Sequence, residues 1–160
     1  CQQAWRNHVS TPKPLLTEEM RQQAIGRETA PLTGEIEKGA IIKFARAIGD
    51  DNPFFNDEEA AVKGPHGALI TPPTFLRTFT TVRPELPFDL PLDRLLDGGS
   101  DWEYFVPIKA GDQIIAVGRI TDLSERTGRL GVMVFMTVVV TYTNQNNEVA
   151  ATQTSTSLRY

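Results

Sequence analysis

The second half of the chain contains four successive segments with strand character, and their order limits the folds open to it. The segments span residues 100–107, 113–123, 129–143 and 148–160. Two short polar stretches, "ERTGR" and "NQNNE", separate the last three segments as hairpin turns do. Residues 130–140 are apolar on both faces, which predicts a strand at the centre of a sheet. We therefore predict an antiparallel sheet for this half.

The first half of the chain carries helical patterns instead. Residues 16–27 are predicted to be a short helix, with Thr17 as its N-cap. Residues 37–48 place apolar side chains on one face at helical spacing, and Gly49 suits the end of that helix. A further short helix is predicted around residues 57–62.

A helix of about three turns is also predicted over residues 71–82. Pro72 and Pro73 fit a helix start, because a proline in the first turn loses no hydrogen bond. An apolar stripe follows at helical spacing and consists of Phe75, Leu76 and Phe79. The order of the elements predicts an α+β layout. Helices come first, one apolar helix lies in the middle, and the strands that follow are expected to wrap around that helix as a sheet.

Composition narrows the classes of protein. The length of 160 residues favours one domain over residues 1–160, with residues 1–16 as an irregular arm. The net charge of −4 argues against a nucleic-acid binder, and no apolar run is long enough for a bilayer. The single cysteine, Cys1, favours a reduced, cytoplasmic setting. Two histidines, His8 and His66, form no Cys/His cluster, so neither a metal site nor a cofactor is predicted.

The stretch "GDDNPFFNDEEAA" at residues 49–61 has two interpretations. Taken alone, it is typical of a helix end followed by an Asp/Asn/Pro turn. Taken with the rest of the chain, it matches a catalytic loop. That second interpretation depends on a resemblance carried by three further segments, "LITPPTFL", "DGGSDWEYFVPIKAGDQI" and "VVVTYTNQNNEVAATQTST".

With these segments, in this order over residues 36–157, the chain resembles the MaoC-like hydratase/dehydratase family, and within it the N-terminal-type dehydratase domain. The resemblance implies a single hotdog domain that forms dimers. It also implies chemistry on thioesters of coenzyme A or acyl carrier protein. Members add water to a trans-2-enoyl thioester or remove it from an (R)-3-hydroxyacyl thioester.

Active members of the family carry the pattern G-D-x-N-P-[LIV]-H. Their aspartate and histidine activate a water, and a backbone N–H at the start of the central helix polarises the thioester carbonyl. Here four residues match the pattern: Gly49, Asp50, Asn52 and Pro53. The histidine position holds Phe55, and the glycine that would supply the N–H is Pro73, which has none. The motif is therefore degenerate.

The candidate catalytic residues are Asp50 and, as a replacement acid/base, His66. The alternative for His66 is a loop histidine without a catalytic role. Strand alternation places Trp102 and Tyr104 on one face, where they line an acyl tunnel, form a partner surface or serve ordinary sheet packing, the last being favoured. The predicted substrate contacts are Asn52, Phe55, Pro73, Thr74, Trp102 and Tyr104.

Three functional hypotheses follow. The first is a thioester-binding hotdog subunit that completes the active site of a catalytic MaoC-like partner in a heterodimer. The second is a self-sufficient homodimeric enoyl-CoA hydratase/3-hydroxyacyl dehydratase that uses Asp50 with His66 or another group. The third is a thioester-binding regulator without catalysis. Of these, the missing catalytic groups favour the first.

Overall fold

The structure is a computed structural model that describes residues 14–79 and 82–160. Most of the predicted N-terminal arm, with Cys1 and His8, lies outside these residues. The helices are α1 (Glu18–Ala24), α2 (Lys38–Ala47), α3 (Pro53–Asn56), α4 (Glu58–Lys63) and a 3₁₀ turn (Phe75–Thr78). The strands are β1 (Leu32–Glu35), β2 (Leu95–Tyr104), β3 (Gln113–Gly128), β4 (Gly131–Thr143) and β5 (Val149–Arg159).

The strands form one antiparallel sheet in the order β1-β3-β4-β5-β2. The position of β4 at the centre confirms the prediction made from its apolar sequence. The strand β2 begins at Leu95, whereas the sequence predicted a start at residue 100. A bulge between Asp97 and Ser100 accounts for the difference, because Gly98 and Gly99 interrupt the alternation without ending the pairing with β5.

The predicted N-cap of α1 and the predicted end of α2 are confirmed, whereas α1 ends at Ala24 rather than at residue 27. The Thr17 side chain accepts a hydrogen bond from the Met20 N–H at 3.2 Å, which caps α1. Helix α2 buries Ile41 and Ala45 in the apolar core. Gly49 follows α2 with a φ of 71°, a left-handed conformation in which other residues are strained.

The predicted helix over residues 71–82 is wrong in its length. The described part of this segment contains only the 3₁₀ turn Phe75–Thr78, and Phe79 already has a non-helical ψ of 85°. Two consecutive prolines remove N–H donors, the Thr74 side chain makes no capping hydrogen bond, and the threonines are poor helix formers. The apolar stripe is nevertheless buried, since Phe75 and Leu76 both lie in the core.

The buried apolar residues form two clusters that include side chains from the sheet. The larger joins α2, α3 and the 3₁₀ turn to the middle of β3 and β4. The smaller contains Leu123 and Val134, and the proline-rich connector of residues 82–94 packs against it. In the described part of the chain, no helix is long and apolar enough to cross a membrane.

Candidate functional site

The loop after α2 is held by hydrogen bonds from its own side chains. The Oδ1 atom of Asp50 accepts the Asn52 N–H at 3.0 Å, and Asn52 Oδ1 accepts the Phe54 N–H at 3.0 Å. The Asn56 amide donates to the Asp50 carbonyl at 2.7 Å and to the Asn52 carbonyl at 3.0 Å. The motif positions Asp50 and Asn52 thus act as turn and helix caps.

Phe55, at the position of the family histidine, lies in the protein core. Only 7% of the residue is exposed, and it belongs to the cluster that includes Ile41 and Phe75. The neighbouring Phe54 carbonyl accepts the Ile70 N–H at 3.1 Å, which ties the loop to the segment before Pro72. A benzyl side chain therefore replaces an acid/base group and contributes packing instead.

Pro73 and Tyr104, two of the predicted substrate contacts, meet at a small cleft. The Tyr104 hydroxyl donates a hydrogen bond to the Pro73 carbonyl. The cleft has a volume of about 330 Å³, and Thr71 and Phe105 also line it. Neither Asp50 nor Asn52 lines this cleft, and the exposed Thr74 beside Pro73 does not line it either.

An aromatic stack continues from Tyr104 into the core. The Trp102 ring lies parallel to the Tyr104 ring, with centroids 6.0 Å apart, which confirms that the two share a face. Trp102 also stacks on Tyr142 at 5.8 Å, and the Tyr142 ring meets the edge of Phe79 at 6.0 Å. Sheet packing therefore accounts for Trp102, while Tyr104 remains 45% exposed at the rim.

Both tyrosines in the stack are held in their neutral form. Burial raises the pKa of Tyr104. Burial also raises the pKa of Tyr142 to about 12, with a further increase from Tyr104 and an opposing effect from Arg77. At neutral pH each phenol is a hydrogen-bond donor, as an ordinary tyrosine is, and burial extends this neutral form to higher pH.

His66, the other candidate catalytic residue, lies half-buried in the loop after α4 and does not line the cleft of Pro73 and Tyr104. Across residues 14–79 and 82–160, no group of three or more His, Cys, Asp or Glu side chains is placed to hold a metal ion.

Sequence reasoning missed a polar network on the inner face of the sheet. The Tyr142 hydroxyl donates to Gln153 Oε1 at 3.3 Å, and Gln153 Nε2 donates to Ser100 Oγ at 3.1 Å. The signal was present in the alternation of β4, which places Tyr142 on the same face as Val138 and Val140. Pairing of Gln153 with Val140 in the sheet register brings the glutamine to that face.

Comparison with known proteins identifies the family. A family model described as the FAS1-like dehydratase domain region matches residues 23–153. The chain belongs to this family, the MaoC-like hotdog dehydratases. A UPF0336 protein of Parafrankia sp. is 33% identical over 123 residues, which cover 72% of this chain and 80% of that protein. A probable enoyl-CoA hydratase alpha subunit of Thermomonospora curvata is 30% identical over 139 residues, 75% of this chain and 43% of that protein.

Solved structures show the same fold. The C-terminally truncated HadBC (3R-hydroxyacyl-ACP dehydratase) complex of Mycobacterium tuberculosis aligns with a TM-score of 0.70 and 23% identity, covering 84% of this chain and 96% of that chain. The ChsH1-ChsH2 complex of Mycobacterium tuberculosis aligns with a TM-score of 0.70 and 17% identity, covering 89% and 92%. These likenesses establish the hotdog fold predicted from the sequence.

Proposed function

We propose that this chain is an acyl-thioester-binding hotdog subunit of an (R)-3-hydroxyacyl-CoA or acyl-carrier-protein dehydratase system. In that role it completes the active site of a catalytic MaoC-like partner. The observation that carries the proposal is the burial of Phe55 in the core at the position of the family histidine. A side chain in that place contributes packing and cannot move a proton.

The missing oxyanion donor supports the same role. Pro73 has no N–H, and its carbonyl is already engaged by the Tyr104 hydroxyl. The 3₁₀ turn that follows spans only Phe75–Thr78, so it offers little of the dipole that a full helix start directs at an anion. Loss of one oxyanion donor typically lowers the rate about a hundred- to a thousandfold.

Exposed apolar side chains at one sheet edge support a partner. The edge strand β2 pairs with β5 on one side, and large apolar residues at β2 and just beyond it remain exposed. They are Leu95, Leu96, Tyr104 and Phe105. An unprotected edge with apolar side chains favours pairing with another chain. The alpha-subunit name of the Thermomonospora relative and the two mycobacterial complexes support a heterodimer in particular.

The proposed substrates are thioesters of coenzyme A or acyl carrier protein, and the proposed compartment is the cytoplasm. The single cysteine of the sequence, which can form no internal disulfide, is in keeping with a reducing compartment.

A hydration assay tests the proposal. Crotonyl-, octenoyl- and dodecenoyl-CoA are offered to the chain alone, to a MaoC-like partner with an intact G-D-x-N-P-[LIV]-H motif, and to the mixture. We expect background rates from the chain alone, and in the mixture a higher rate or a range extended to longer acyl groups.

Two results would contradict the subunit role. Robust turnover by the chain alone, lost in Asp50→Asn or His66→Ala, would establish the self-sufficient homodimeric hydratase. No turnover and no effect on any partner would leave the non-catalytic thioester-binding regulator.

A further inference from the structure

A groove runs along the inner face of the sheet beneath the connector of residues 82–94. It consists of two adjoining clefts with volumes of about 310 Å³ and 530 Å³. Arg83 and Leu95 line both clefts, so the two share a wall. The floor follows β4 from Val134 to Val140, which makes it roughly 20 Å long. The site is large enough for an elongated small molecule.

The floor of the groove has one apolar side and one polar side. On β4 the inward residues are apolar, and on the neighbouring β5 their partners in the register are polar. The apolar residues are Val134, Met136, Val138 and Val140, and their partners are Arg159, Ser157, Ser155 and Gln153. The two clefts therefore have an apolar wall on the β4 side and polar groups on the β5 side.

Positive charge collects in the first cleft, which Arg77 and Arg83 line together with Asp97. Among the described residues, Lys38 and Glu58 form the one ion pair. Neither Arg77 nor Arg83 is therefore within salt-bridge distance of a described carboxylate. Partial burial lowers the pKa of Arg83, Asp97 raises it and Arg159 lowers it again. Loss of hydration is the largest of these effects, so it disfavours the charged form of Arg83 more than Asp97 favours it, and an additional anion in the cleft would offset that loss.

A hydroxyl group adds a further donor to the first cleft. Ser100 Oγ accepts a hydrogen bond from Gln153 Nε2 at 3.1 Å, which leaves the serine O–H available to donate. Both residues line the cleft. Glu85 and Asp89 line the second cleft, so the anion site is assigned to the first one.

We propose that this groove binds a carboxylate joined to a long apolar chain. Arg77 and Arg83 hold the carboxylate near Ser100, and the chain lies along the β4 side of the floor. Such a ligand has two sources, a free fatty acid or an acyl thioester that carries a second, terminal carboxylate. The thioester source rests on the proposed function, whereas the free acid does not.

Calorimetric titration of the full chain with decanoate, decanol and acetate tests the site. We expect decanoate to bind at least tenfold more tightly than either decanol or acetate, because only decanoate supplies both parts of the ligand. Arg83→Gln is expected to weaken decanoate binding about ten- to a hundredfold. Arg119→Gln, which removes an exposed arginine from the opposite face of the sheet, serves as the matched control and is expected to leave binding unchanged. Equal affinities in the two variants, or equal binding of decanol, would overturn the proposal.

A second pair of variants tests the location. Ser155→Trp fills the groove floor, whereas Thr154→Trp adds the same bulk to the outer face one residue away. We expect loss of decanoate binding in the first and wild-type affinity in the second, with circular dichroism to verify folding. If Ser155→Trp does not fold, Arg83→Gln decides. Equal loss in both tryptophan variants would contradict the groove.

A comparison of decanedioyl-CoA with decanoyl-CoA separates the two sources. Tighter binding of the diacid thioester, lost in Arg83→Gln, assigns the site to a substrate with a terminal carboxylate. Binding of decanoate without that preference assigns it to the free acid. Because these titrations need neither a partner nor turnover, their failure overturns the groove inference and leaves the hydration assay to judge the proposed function.

Discussion

The loop of residues 49–57 and the segment of residues 71–79 are the two regions that the sequence resemblance assigns to the family's catalytic machinery, and they differ in how much of the family pattern they keep. The loop keeps its backbone: Gly49 has its left-handed conformation, and Asp50 and Asn52 cap successive turns. It departs from the family pattern at Phe55, a buried packing residue where the pattern has a histidine.

The segment of residues 71–79 departs from the family pattern in its backbone as well. Pro73 offers no N–H, its carbonyl is engaged by Tyr104, and the expected helix is a single 3₁₀ turn. A side-chain loss is reversible by one substitution, whereas an oxyanion site needs a donor and a helix start in the right place. Under the proposed function, the second region is therefore the one whose donor the partner supplies.

The largest expected effect tests the packing role of Phe55. Phe55→His places a polar ring in the core, so we expect the free energy of unfolding to fall by about 3–5 kcal/mol in urea denaturation, with no hydratase activity gained. Phe105→His is the matched control, because Phe105 is 58% exposed and its replacement costs little. Turnover of crotonyl-CoA by Phe55→His would show that the loop lacks only its histidine.

The next largest effect is the dependence of stability on pH, which reports how well residues 71–79 and the aromatic stack shield the Tyr142 hydroxyl from solvent. The folded protein holds the pKa of Tyr142 near 12, above the ordinary value of 10.0, so the unfolded chain releases this proton first. Stability from this group is complete below about pH 10 and is lost as the pH rises to about 12, a decrease of about 2–3 kcal/mol. Denaturation curves between pH 9 and about pH 12 measure it.

Tyr142→Phe is the control for this pH dependence, since it removes the phenol and keeps the ring that meets Phe79 and Trp102. A wild-type protein whose stability fell no more steeply than that of Tyr142→Phe would show that solvent reaches the hydroxyl.

A smaller effect tests the caps in the loop. Asp50→Ala removes the acceptor for the Asn52 N–H and is expected to cost about 0.5–2 kcal/mol. Asp50→Asn keeps an oxygen at that position and is expected to melt close to the wild type. Asp51→Ala, at an exposed neighbouring aspartate, is the matched control. A stability unchanged by Asp50→Ala would favour a site residue over a cap.

The smallest effect concerns Pro73. Pro73→Gly restores an N–H but adds freedom to the unfolded chain, so we expect a loss of about 0.4–1 kcal/mol and no gain in hydration rate. Pro73→Ala, which also restores the N–H with less added freedom, is the comparison. Hydration of crotonyl-CoA by the double variant Phe55→His/Pro73→Gly would show that the second region is as easily restored as the first.

Local sequence patterns determined most of the elements of this protein. Strand patterns specify β3, β4 and β5, and two-sided apolarity places β4 at the centre. The turn predicted at "ERTGR" is wrong in its extent, because β3 continues to Gly128 and pairs with β4 as far as Gly131. The spacing of Ile41 and Ala45 with Gly49 behind them specifies α2 and its end. These signals act over a few residues, so they can be read along the chain.

Only the tertiary structure decided the remaining features, because they depend on residues far apart in sequence. The length of the helix after Pro73 depends on whether tertiary packing outweighs the poor helix propensity of the threonines. Packing does not outweigh it here, since the helix is a single 3₁₀ turn. Burial of Phe55 depends on α2 and the 3₁₀ turn closing over it. The network from Tyr142 to Ser100 depends on a register that joins three strands. No local periodicity encodes such contacts, since each is set by how separate elements meet.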